Sequence, residues 1–82
     1  QVSFLKMRIQ VEVEKKDDVK AVLSHMPRIR DSMLVFLREL RAEDLQGAAG
    51  VYRLREELLL RINKEIHPAT AKDILFNEII VQ

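Results

Sequence analysis

The sequence predicts an α+β fold, a small two-layer α/β sandwich in the order strand-helix-helix-helix-strand. Three observations predict it. Leu5, Met7, Ile9, Val11 and Val13 alternate without a break with Lys6, Arg8, Gln10, Glu12 and Glu14, the period of a strand with one buried and one wet face. Two later stretches carry apolar residues at steps of three and four, the period of helices with one covered stripe. The C-terminal stretch Lys72–Gln82 is rich in β-branched and aromatic residues and is too short to favour a further helix.

The first strand leaves a question at its start. Val2 and Phe4 fall on the nominally wet parity. They require either a twist or bulge at the strand's entry or an upstream element that covers them.

Lys15–Asp18 is a charged turn, and Asp17 or Asp18 is the expected N-cap of a short helix through Val19, Val22, Leu23 and Met26. Pro27 disfavours the α conformation at Met26, so a break or bend is expected there. A second helix then follows in Met26–Leu40, around which the rest of the chain is organised. Pro27 suits its first turn, and Ile29, Met33, Phe36, Leu37 and Leu40 gather on one face. That face needs a cover, which makes Met33 an expected core residue.

Arg41–Gly50 reads as a connection that holds both glycines, with Leu45 its plug into the core. A third helix is expected from Val51 to Ile66, with Leu54, Leu58, Ile62 and Ile66 on its buried face. Glu57–Arg61 and Arg53–Glu57 are four-apart ion pairs on its outer side, each worth about 0.2–0.5 kcal/mol. Pro68 ends it. Leu60 does not fit the stripe. At about 100° per residue it points nearly opposite Leu58 and Ile62, among charged residues. A lone exposed leucine is commonplace, but Leu60 with Arg53 and Lys64 also makes a candidate partner-binding patch, extended by Tyr52 and Leu59, which flank the stripe.

In the final strand Ile74, Phe76 and Ile80 share one parity, while Leu75, Ile79 and Val81 share the other. The strand is therefore either covered on both faces or bulged near Asn77–Glu78. It should pair with the first strand beneath the three helices.

Composition narrows the function. A chain of 82 residues makes one domain and buries only about 60–65% of its unfolded surface. With 14 basic and 13 acidic residues mixed along it, the net charge is +1. A nucleic-acid or polybasic membrane surface needs clustered positive charge instead. There is no cysteine, hence no disulfide framework and no thiolate metal site. His25 and His67 lack zinc-type spacing, and Ser3, Ser24 and Ser32 lack a nucleophile elbow or triad context. Gly47-Ala-Ala-Gly50 lacks the lysine and preceding strand of a phosphate loop. No catalytic, cofactor or metal site is expected, and a binding or assembly module remains. The chain starts at Gln1 directly in a strand pattern, so it is expected to be a piece of a longer protein.

The order of short motifs is specific. His25-Met26-Pro27-Arg28-Ile29-Arg30-Asp31-Ser32-Met33-Leu34 precedes Glu43-Asp44-Leu45 and a glycine. Leu54-Arg55-Glu56-Glu57-Leu58 follows, and Lys72-Asp73-Ile74-Leu75-Phe76 leads to a terminal Val81-Gln82. In this order the chain resembles the C-terminal domain of the FliL family of flagellar basal-body-associated proteins along essentially its whole length. Ala48-Ala49-Gly50 departs from relatives that often carry a proline before the glycine.

The resemblance implies that residues 1–82 form a single periplasmic domain, with a fold similar to the stomatin/SPFH core. It implies a membrane anchor, one transmembrane helix, upstream of Gln1. It also implies self-association in a ring around the MotA/MotB stator complex, with no cofactor, catalytic residue or nucleic acid involved. On this view Phe4, Tyr52, Arg53, Leu60 and Lys64 are the candidate partner-binding residues. The alternatives are a stomatin-like scaffolding domain for another membrane complex, or a regulatory adaptor with no membrane attachment.

Overall fold

A computed structural model describes residues 4–82. Strand β1 (Leu5–Val13) is followed by helices α1 (Lys16–Ser24) and α2 (Met26–Arg38) and a 3-10 turn (Ala42–Leu45). Helix α3 (Gly47–Ile66) and strand β2 (Ala71–Val81) complete the chain. The two strands pair antiparallel. The helices form the second layer, with α3 packed on β2 and α2 packed on α3, as the α+β expectation requires.

Two register shifts explain why β2 lacks clean alternation. One lies opposite Arg8/Ile9, where Glu78 and Phe76 are successive partners, and one opposite Glu12/Val13. Each inserts one extra residue, Asn77 or Lys72, and so flips the parity of the strand beyond it. Phe76, Ile74 and Ala71 thereby face the helices with Ile9, Val11 and Val13, and Ile79 pairs with Met7 on the same side of the sheet. Of coverage on both faces and a bulge near Asn77, the bulge is the one the fold uses.

The helix boundaries differ from expectation in two places. Helix α1 starts at Lys16 after an extended Lys15, with no side-chain cap. Asp17 and Asp18 lie inside its first turn, where a carboxylate still favours the helix dipole. Helix α3 begins at Gly47 rather than Val51, and Ala42–Leu45 is a 3-10 turn rather than irregular chain. Asp44 Oδ2 accepts the Arg41 backbone N–H at 2.9 Å, which closes that turn.

Gly50 is needed for close approach. A Cβ there would lie 2.7 Å from the Asp44 carbonyl oxygen and 3.1 Å from the Leu45 carbonyl carbon. Both are backbone atoms that cannot swing aside. Gly50→Ala is expected to destabilise the domain by about 1–3 kcal/mol through this overlap, seen as a lower urea midpoint with an unchanged slope. Gly47 has a positive φ of 71° but open space around it.

The core is Val22, Ile29, Leu40, Leu54, Leu58, Ile62, Ile66, Ala71 and Ile74. The stripe expected on α3 is all there. Leu45 packs against it as a plug. Met33 is a correction: it is only half-buried, and so is the whole apolar row of β1.

Candidate interaction surfaces

The five candidate residues do not form one patch. Tyr52, Arg53, Leu60 and Lys64 are all exposed on α3, and at about 100° per residue they fall on one side of it. Leu60 is 65% exposed. Tyr52 has the Arg55 guanidinium 5.8 Å from its ring centroid. Phe4, also exposed, is at the end of the strand layer, where its backbone exchanges two hydrogen bonds with Gln82 at 2.9 and 3.0 Å. Val2, which shares the parity of Phe4, lies outside the described residues.

Of the two ion pairs expected on α3, Glu57–Arg61 forms at 3.1 Å, and Arg53 stands apart from it. Arg61 is not on a wet face. Its guanidinium is 4.8 Å from the centroid of the Phe36 ring and donates to the Ser32 carbonyl at 3.3 Å and the Ser32 Oγ at 3.4 Å. A side chain read as surface charge therefore clasps α2 onto α3. Its position at the edge of the stripe, facing serine and phenylalanine on α2, could be assigned only once the two helices were juxtaposed.

Ser24 and His25 are a nucleophile and a base in contact, with Oγ 3.1 Å from Nδ1. The arrangement is structural. His25 Nδ1 is 2.8 Å from the Ala21 carbonyl, an acceptor only, so Nδ1 is the donor and cannot take the serine proton. Ser24 Oγ donates to the same carbonyl at 3.2 Å. Together they cap α1. Among the described residues no three His, Cys, Asp or Glu side chains converge as metal ligands. A cleft beneath the 3-10 turn, lined by Glu39, Asp44, Arg53 and Glu57, has no nucleophile or histidine.

The feature that periodicity did not disclose is a groove between β1 and the α1/α2 pair. It encloses about 530 Å³ and is lined by Leu5, Met7, Ile9, Val11, Met33 and Leu37 among others, with Arg8 and Arg30 as its charged residues. All three methionines of the protein, Met7, Met26 and Met33, line it. Flexible thioethers suit a surface that must adapt to its occupant. The three methionines, on three separate elements, were the one signal of it in the sequence.

With the surfaces placed, relatives decide what kind of module carries them. A family model described as "Flagellar basal body-associated protein FliL" matches residues 1–82. The chain belongs to the FliL family. Two curated relatives, both named flagellar FliL protein and both from strains of Caulobacter vibrioides, are 38% identical to it over 79 residues. Those residues are 96% of this chain and 38% of each relative's length. This FliL domain thus spans well under half of the curated relatives it matches. Among its described residues no helix is long and apolar enough to cross a membrane.

Proposed function

We propose that this FliL domain is a non-catalytic assembly module of the flagellar basal body and acts through its surfaces. A transmembrane helix in the full-length protein anchors it, and the domain lies in the periplasm. There it self-associates in a ring around the MotA/MotB stator complex and supports torque generation. A core of the stomatin type belongs to the same proposal.

The observation that carries the reading is the family match over the whole chain. The exposed apolar residues on α3 support it. Leu60 stands out from a face that also bears Arg53 and Lys64, a layout suited to a protein contact with a charged rim. Tethering in a membrane raises the local concentration, so contacts of this kind need not be strong alone.

Leu60→Asp in the full-length protein tests it. The exposed position predicts a melting curve within about 0.5 kcal/mol of the parent, together with smaller swimming halos in soft agar and reduced co-purification of MotB. Parental motility and MotB recovery at normal protein levels would remove Leu60 from the interface.

A further inference from the structure

We propose that α3 of one copy of this chain rests on the outer face of the two-stranded sheet of the next copy, with Leu60 of the first over Leu75 of the second. The proposal rests on the self-association in the proposed function and supplies a contact for it.

The two surfaces are on opposite sides of the molecule. The helices pack on one face of the sheet, and Leu54, Leu58, Ile62 and Ile66 are the side of α3 turned inward. Its outward side is a row at four-residue steps, Tyr52, Glu56, Leu60 and Lys64, all exposed. On the sheet face away from the helices, Lys6, Arg8, Gln10 and Glu12 of β1 are opposite Ile80, Glu78, Leu75 and Asp73 of β2. Leu60 is 65% exposed and Leu75 47%, and each has charged residues before and after it in its row.

The rows match in spacing and in sign. Four residues of helix advance about 6 Å, and two residues of strand about 6.7 Å. With Leu60 over the Gln10–Leu75 pair, Lys64 comes to Glu12–Asp73, Glu56 to Arg8–Glu78 and Tyr52 to Lys6–Ile80. Glu12 and Asp73 are two carboxylates directly opposite each other, an arrangement that costs stability and that the Lys64 ammonium of the second copy relieves. Within the chain, Arg8, Glu12, Glu56 and Lys64 form no ion pair. Glu78 is engaged by Lys6 at 3.8 Å, which leaves Arg8 for Glu56. Reversing the helix sets Lys64 against Arg8 and Glu56 against the two carboxylates, so charge fixes the direction as well as the register. A contact between two different faces runs head-to-tail, is repeated by each copy, and makes a ring where the rotation between copies closes. It is small, and anchoring in a membrane supplies the local concentration it needs.

Disulfide trapping in the membrane-anchored full-length protein is the test, with any cysteine outside this domain replaced by serine. The domain itself has none. Leu60→Cys and Leu75→Cys are exposed substitutions whose thiols meet only across the contact, within disulfide reach. The double variant is expected to oxidise to a ladder of dimers, trimers and larger species, while each single variant stays uncrosslinked. Lys64→Glu, added to the double-cysteine variant, is expected to reduce the ladder about ten-fold, and Glu12→Lys beside it to restore the ladder. Absence of the ladder at normal protein levels overturns the proposal. So does a dimer from Leu60→Cys alone in equal yield, or a Lys64→Glu loss that Glu12→Lys fails to rescue. Any of these results with MotB still co-purifying leaves the motor reading standing, whereas a ladder without MotB recovery removes the motor reading and keeps the contact.

Discussion

Leu58→Asp is expected to abolish the folded state at room temperature. Leu58 is 0% exposed, in the middle of α3, within the cluster of Leu54, Ile62, Ile66 and Ile74. A carboxylate there has no cation or donor in reach and loses its water, at a cost of several kcal/mol on top of the lost leucine burial. A domain of this size has roughly 4–12 kcal/mol of stability in all. Loss of the cooperative transition in a circular-dichroism melt is the measurement, with Leu58→Ala, at about 2–5 kcal/mol, as the graded control. Met33→Asp should be clearly milder, because Met33 borders the groove and its carboxylate would remain wet.

Asn63→Leu carries the second largest effect. The Asn63 carboxamide takes both backbone groups of Ala71: its Oδ1 accepts the Ala71 N–H at 2.6 Å, and its Nδ2 donates to the Ala71 carbonyl at 3.2 Å. Ala71 is nearly fully buried, so those groups have no water to turn to. Leucine matches the volume and removes both partners, leaving a buried donor and acceptor unsatisfied. We expect a loss of about 2–4 kcal/mol, measured by urea unfolding. Asn63→Asp keeps the acceptor for the N–H and should fall between leucine and the parent. Equal stability of the leucine variant would show that the junction between α3 and β2 is held by packing alone.

These two residues mark the line between what the sequence discloses and what it hides. Leu58 was legible because a stripe at helical spacing has only one use in a chain that must bury a core. Asn63 was not: its role depends on the segment between α3 and β2 returning to bring Ala71 beside the helix. Arg61 is similar, since four-residue spacing identifies its partner Glu57 but not the Phe36 ring across the helix interface. Strand β2 showed its bulge as broken alternation, with the alternative open until the register with β1 was known. The largest departure is β1 itself. Strict alternation marks one face as apolar, yet it does not say how much of that face the rest of the chain can cover. Leu60 was placed opposite the stripe by helical geometry, and Tyr52, Arg53 and Lys64 are exposed on the same side of α3, whereas Phe4 is on a different layer.

The Arg61 clasp has a mechanical corollary. Helix α2 is fastened to α3, and α3 to β2, whereas the side of α2 nearest β1 borders a furrow. The molecule therefore has α3 as a central beam, gripped by α2 on one side and by β2 on the other. Pulling α2 outward would unseat Ile29 from the core and break the Arg61 hydrogen bonds, so the furrow does not widen freely.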